Sequence, residues 1–306
     1  MILDTLTGMI PSKSLLRVVA LVLALGVMAG MAVLGLRVPS SRVPVVVSGV
    51  TQWGALARDV LGPSANVVTL LSDPNADPHD HEATTTDAAR VAEATLVIEN
   101  GAGYDTWLSQ LVAARPSPPP VIDVAALVGV SAGRNPHVFY DLAAARRFVE
   151  RLVALESPRL GARRLEASAS AVLARIARLQ AQVSDLRASC AGVPVAATED
   201  VTGYLLSAMG LRVVTPEALR LAVGNGVDPS VADLATALGQ LRQHPALLID
   251  NVQTATPLTA QMVSVAEANG VPVIRVTETM RGSDYPAWIG RTITQIRAAL
   301  TTEGCA

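Results

Sequence analysis

Residues 158–188 read PRLGARRLEASASAVLARIARLQAQVSDLRA, and the fold turns on how this stretch is read. It belongs to a longer run, Asp141 to Ala188, made almost wholly of helix formers and broken only by Ser157-Pro158 and Gly161. Leu165, Val172, Ile176, Leu179 and Val183 recur at spacings of three, four and seven, which makes an apolar stripe along one helix face. The pattern predicts one helix ending at about Leu155 and a second, long one from about Pro158 to Ala188. A helix of roughly 30 residues is about 45 Å long. That length suits an element spanning two domains rather than one buried inside either.

The flanks on both sides alternate between strand and helix signals. On the N-terminal side, Val43–Val50 is a largely apolar, β-branched run broken by Pro44, Ser48 and Gly49, as in a buried parallel strand. Thr51–Leu61 predicts a helix closed by Gly62-Pro63, and Asn66–Leu71 a second strand. A helix from Thr86-Asp87 to about Ala94, a strand over Thr95–Glu99, a helix over Tyr104–Ala114 and a short strand at Val121–Val124 follow. On the C-terminal side, strands are expected at Pro194–Ala197, Leu211–Val214, Ala246–Asp250 and Val271–Val276. Between and after them come helices over Val201–Met209, Pro229–Gln243 with Asp228 as N-cap, Pro257–Asn269 and Tyr285–Leu300. Such alternation indicates parallel sheets covered by helices. The expected fold is α/β: two lobes with parallel sheets flanked by helices, joined by one long rigid helix and preceded by an N-terminal transmembrane or signal segment. The expected divisions are 1–42, 43–156, 157–190 and 191–306.

Composition narrows the functional classes. A chain of 306 residues suits two domains of ordinary size. Half the residues are hydrophobic but only 3% are aromatic, so the core is expected to be aliphatic. A net charge of -2 lacks the basic excess that nucleic acid demands, and no nucleic-acid partner is expected. Nineteen residues, Val18 to Leu36, carry no charge. That approaches the roughly 20 needed to cross a bilayer and exceeds the usual signal-peptide core of about 7–15. An uncleaved membrane anchor is the first reading and a cleaved signal peptide the second. Lys13 and Arg17 before the run balance Arg37 and Arg42 after it, so the basic residues do not set its orientation. Cys190 and Cys305 are either one bridge of an exported protein or two unrelated thiols.

The histidines are scarce and grouped. Two of the four lie in Asp77-Pro78-His79-Asp80-His81-Glu82, directly after a predicted strand, and a third in Asn135-Pro136-His137. Loops at the carboxyl ends of parallel strands are where open α/β sheets place ligands. Imidazoles among carboxylates at such a place point to a divalent-metal site. The fourth, His244, lies at a helix end and reads as a turn residue.

Five segments in order resemble one family, the metal-specific solute-binding proteins of ABC transporters (ZnuA/TroA-like). They are Asp77-Pro78-His79 with Glu82-Ala83-Thr84; Asn100-Gly101-Ala102-Gly103-Tyr104 with Trp107-Leu108; Asn135-Pro136-His137 with Tyr140-Asp141; Thr198-Glu199-Asp200 with Gly203-Tyr204; and Gly270-Val271-Pro272-Val273 through Thr277-Glu278-Thr279. The resemblance spans about Val43 to Leu300. It implies that His79 and His137 are the two histidine ligands of the first lobe. Glu199 matches a second-lobe position where members carry His or Glu, and Glu278 falls where many carry an aspartate ligand. The chain departs from the pattern at Ala83, where members often have proline, and it lacks the long His-rich loop of many zinc members.

The implied function is extracytoplasmic capture of Zn2+ or Mn2+, with Fe2+ also admitted, between two lobes. Delivery would be to the membrane permease of an ABC transporter, by a monomer that is anchored or secreted and is not an enzyme. Two imidazoles and two carboxylates form a borderline-hard donor set, in which a two-oxygen Glu199 or Glu278 would raise the coordination number and admit manganese or ferrous iron. Asp80, Glu82 and Asp141 are the candidates for fixing the imidazole tautomers. His81 reads as a neighbour of the site, and Tyr104, Trp107 and Trp288 as packing residues. A metal-dependent adhesin is the alternative. A metallohydrolase is a weaker one, since no H-E-x-x-H pattern occurs.

Overall fold

The computed structural model describes residues 43–73, 81–302 and 304–305. The expected N-terminal anchor or signal segment, residues 1–42, lies outside them. Among the described residues, no helix is long and apolar enough to cross a membrane.

The first lobe follows the expected alternation: β1 (Val45–Val50), α1 (Thr51–Leu61), β2 (Asn66–Leu71), α2 (Thr85–Glu93), β3 (Leu96–Glu99), α3 (Thr106–Ala113), β4 (Val121–Asp123) and a one-turn α4 (Val124–Leu127). Its strands are all parallel in the order β2-β1-β3-β4, with Val45 opposite Asn66, Val46 opposite Leu96 and Val97 opposite Val121. β1 is buried almost throughout because helices cover both faces of the sheet, and its one polar side chain, Ser48, donates to the Val50 carbonyl at 2.8 Å. α1 is buried over most of its length for a similar reason: it packs on β1 and β2 and on the long helix. Gly54 lets it approach the sheet, since a Cβ there would strike the Thr69 hydroxyl.

Two long helices follow, α5 (Leu142–Leu160) and α6 (Ala162–Cys190), packed against each other. The break between them falls at Gly161 and not at Ser157-Pro158. Pro158 sits in the last turn of α5, where it removes a single helical hydrogen bond. The reversal itself needs the φ of 92° that Gly161 supplies. The 29 residues of α6 span about 43 Å. Its buried stripe contains the five predicted positions together with Ala169, Leu186 and Cys190. It touches α1 of the first lobe at one end of its surface and the second lobe at the other.

The second lobe comprises β5 (Pro194–Ala197), α7 (Gly203–Ala208), β6 (Arg212–Val213), α8 (Glu217–Gly224), α9 (Val231–Leu241), β7 (Leu248–Asn251), α10 (Pro257–Ala268) and β8 (Val273–Val276). Its order, β6-β5-β7-β8, is again all parallel and repeats the topology of the first. α8 is absent from the sequence expectation. The cap of α9 is Ser230 rather than Asp228, because Ser230 Oγ accepts the Asp233 amide at 3.0 Å. The last helix, α11 (Tyr285–Thr302), leaves β8 and returns to pack on α6 and α1.

The few aromatic residues are concentrated where these elements meet. Phe148, Trp53, Tyr285, Trp288, Tyr140, Phe139 and Tyr104 form a continuous chain of ring contacts, with successive centroids 4.7–6.3 Å apart. Elsewhere the core is aliphatic, as the composition predicts.

Cys190 at the end of α6 and Cys305 beyond α11 form a disulfide, with Cα atoms 5.3 Å apart and a sequence separation of 115. A loop of that length gives about 5 kcal/mol in the chain-entropy limit, and measured values for native bridges are typically about 2–4 kcal/mol. Urea denaturation with and without reductant is expected to show a loss of that typical size, and the Cys190→Ser, Cys305→Ser double variant should match the reduced wild type.

Candidate metal centre

His137 ends the turn Asn135-Pro136-His137 that follows α4. The Asn135 side-chain oxygen accepts both the His137 backbone N–H at 3.0 Å and a hydrogen bond with Nδ1 at 2.8 Å. Nδ1 therefore donates to Asn135, and Nε2 is the ring nitrogen turned toward the carboxylates. The turn is tied to the core through Asn100, whose amide donates to the Pro136 carbonyl at 2.8 Å and accepts Trp53 Nε1 at 3.0 Å. It is tied to the second lobe as well: Asn135 Nδ2 donates to the Asp200 carbonyl at 2.8 Å, and Tyr204 OH to the Asn135 carbonyl at 2.7 Å.

Glu199 leaves the carboxyl end of β5, and Asn251 closes β7 beside it. β5 and β7 flank the point where the strand order reverses, the position at which α/β sheets hold ligands. Glu199 Oε2 accepts Thr254 Oγ1 at 2.6 Å. Glu278 follows β8. Asn251 Nδ2 donates to its Oε1 at 2.8 Å, and Tyr104 OH donates to its Oε2 at 2.9 Å. Its backbone is clamped from both lobes. Gln253 accepts the amides of Glu278 and Thr279 at 2.6 and 2.9 Å. From the first lobe, Gln52 donates to the Glu278 carbonyl, Tyr140 OH donates to the Thr277 carbonyl at 3.1 Å, and Thr51 Oγ1 accepts the Met280 amide at 3.1 Å. Gln52 is thus a buried polar residue inside α1 because it reaches across the lobe boundary.

His137, Glu199 and Glu278 converge, each offering an atom within 4.8 Å of the others. His137 Nε2 lies 3.2 Å from Glu278 Oε2 and 3.9 Å from Glu199 Oε1. All three are at most 3% exposed. Burial pushes the Glu199 carboxyl up to about 7, and the adjacent Glu278 carboxylate adds to the rise, against lowering by His137 and by hydrogen bonds from Thr254 and Asn251. Two carboxylates buried side by side are a costly arrangement without a compensating positive charge. The donor set is one that a divalent transition metal fits.

Of the four sequence-predicted ligands, the structure brings three together, and His79 lies outside the described residues. His81 stands elsewhere: its ring packs on Trp107 with centroids 4.4 Å apart, and its Nε2 is 3.5 Å from Asp87 Oδ2. His244 occupies a left-handed turn at φ 53°. Asp141 caps α5 through the Ala143 amide at 2.8 Å and does not orient His137; Asn135 does that. Tyr104 is more than a packing residue, since its hydroxyl meets Glu278. Sequence reasoning also missed Asn251 and Thr254. Asn135 had a usable signal in its place two residues before His137, whereas Asn251 and Thr254 look like ordinary strand-end and turn residues.

A family model described as the periplasmic component A of the zinc-uptake complex, ZnuA, matches residues 46–299. No curated protein sequence matches the chain. Among solved structures, the solute-binding protein FpvC of Pseudomonas aeruginosa in complex with Mn2+ is 21% identical at a TM-score of 0.69, covering 86% of this chain and all of that one. The periplasmic zinc-binding protein TroA of Treponema pallidum is 20% identical at a TM-score of 0.69, over 84% of this chain and 99% of its own. A crystal structure of ZnuA is 17% identical at a TM-score of 0.65, over 84% of this chain and 98% of its own. At these identities the structures establish a shared two-lobed fold. The family model spans nearly everything after residue 45, and the chain belongs to the ZnuA family of periplasmic metal-binding solute-binding proteins.

Proposed function

We propose that this chain captures a divalent transition metal, Zn2+ or Mn2+, outside the cytoplasm and hands it to the membrane permease of an ABC importer. The observation that carries the reading is the buried convergence of His137, Glu199 and Glu278 between two lobes. In this reading, His137 Nε2 and one oxygen of each glutamate bind the cation, and His79, matched to the family pattern by sequence, supplies a second imidazole. The cation then offsets the charge repulsion that the carboxylates otherwise carry.

Capture and release follow from which lobe holds which donor. His137 belongs to the first lobe and Glu199 to the second, so parting the lobes separates them. The bonds from Asn135 and Tyr204 across the same boundary would break in that step. No bond of the cargo is made or cleaved, and turnover has no place in this reading. Residues 1–42 are proposed to deliver the lobes across the membrane, as a retained anchor or a removed signal. The disulfide suits the oxidising side that this implies.

Elemental analysis of the purified lobes is expected to find one zinc or manganese per chain. His137→Ala and Glu199→Ala should each weaken binding by about 100-fold or more; if both bind metal like the parent, the reading fails.

The Glu199 carboxyl gives a second expectation, for the metal-free protein. Its folded value of about 7 lies above the ordinary 4.5, so the folded state holds this proton more tightly than the unfolded state does. That contribution to stability is complete below pH 4.5 and is lost as pH rises through 7, with a limiting slope of about 1.4 kcal/mol per pH unit. The melting temperature of metal-free protein should fall over this window. Glu199→Gln should flatten the fall, and metal affinity should rise across the same range because binding releases the proton.

A further inference from the structure

One side-chain amide joins the metal cluster's two lobes. Asn135 Oδ1 accepts the His137 backbone N–H at 3.0 Å and meets His137 Nδ1 at 2.8 Å. Its Nδ2 donates to the Asp200 carbonyl at 2.8 Å. The backbone N–H can only donate and the carbonyl can only accept, so the amide cannot be turned over without losing both bonds. Asp200 follows Glu199 directly, and its carboxylate is paired with Arg220. A path from the His137 ring through the Asn135 amide to the Asp200 carbonyl therefore ends one peptide from Glu199. The second lobe leaves room for it: a Cβ on Gly203 would lie 3.0 Å from Asn135 Nδ2 and 2.7 Å from Asp200 Oδ1. Tyr204 adds a second bond to the same residue, its hydroxyl donating to the Asn135 carbonyl at 2.7 Å.

We propose that Asn135 is a positioning residue that couples lobe closure to the setting of His137, so that the closed lobes hold the metal longer. The inference deepens the metal-capture reading and rests on it. Ser131 to Arg134, which lead into Asn135, are exposed. Among the described residues, the Asn135 side chain is bonded by His137 at one end and by Asp200 at the other. With the lobes apart the Asp200 end is lost, and the amide keeps only its partners within its own turn. With the lobes together both ends are fixed, and His137 Nε2 faces Glu278 and Glu199. The coupling is reciprocal: what closure does for His137, a cation on His137 does for closure. Capture takes place in the open form, before the bond to Asp200 exists, whereas release must break that bond. Its loss therefore shows in the release rate far more than in the association rate.

The test measures Zn2+ affinity and release on the full-length protein by competition with a chromophoric chelator. Asn135→Asp keeps an oxygen facing the His137 N–H and Nδ1, and its added negative charge by itself favours a cation. It removes the donor to the Asp200 carbonyl. Affinity should nevertheless fall by about tenfold or more, nearly all of it as faster release. Tyr204→Phe, which takes away only the second bond to Asn135, should speed release by about threefold or more. Proton NMR of Zn2+-loaded Asn135→Asp should still show the His137 Nδ1–H, which separates lost coupling from a misplaced ring. Binding by Asn135→Asp as tight as the parent's, or tighter, overturns the inference, since Asn135 then only orients His137. A missing Nδ1–H signal, or a loss carried by slower association, overturns it too. Should Asn135→Asp fail to fold, Tyr204→Phe decides: faster release supports the inference, and an unchanged rate overturns it while leaving metal capture standing. A parent protein that binds no Zn2+ overturns the capture reading along with this one.

Discussion

Two carboxylates and an imidazole held away from water at a lobe boundary impose a constraint on everything around them. Buried like charges repel, and at 1% exposure for Glu199 and 0% for Glu278 the solvent does little to screen them. The surrounding protein therefore surrounds the carboxylates with oriented donors: Thr254 on Glu199, Asn251 and Tyr104 on Glu278. Those donors must themselves be placed, which explains several features that would otherwise look arbitrary. Asn251 caps its own turn, Trp53 and Asn100 position the His137 turn, and Gln52 interrupts an apolar helix to reach the Glu278 carbonyl. The aliphatic cores of the two lobes are generic by comparison.

The architecture was largely legible in the residues because its signals are local. The β-branched run at Val43–Val50, the glycines ending helices at Gly62, Gly210 and Gly270, and the stripe on α6 each report on a few neighbouring positions. The order of strands is not local, and only the structure shows that both sheets share one topology. Pro158 misled for a related reason: a proline marks a helix end by its own geometry, yet one near the last turn is absorbed, and the neighbouring Gly161 makes the break.

The site divided along the same line. His137 was visible because imidazoles are scarce here, whereas Glu199 and Glu278 were reached through the family resemblance. His81 was equally scarce and is spent on Trp107 and Asp87. The residues that orient the donors were not visible, since Asn and Thr at strand ends and turns serve a hundred ordinary purposes. Tyr104 was half legible. As one of few aromatics it was expected to pack, which it does, but the reach of its hydroxyl depends on a partner 174 residues away.

The disulfide between Cys190 and Cys305 joins the place where the chain enters the second lobe to the place where it has finished with it. Tension applied between residue 43 and the C-terminus would run along the first lobe and α6 and then pass directly into the bridge. The second lobe, with Glu199 and the turn that steadies it, hangs from that path as a closed loop and bears none of the load. Mechanically, the second lobe is isolated from a pull applied through the first.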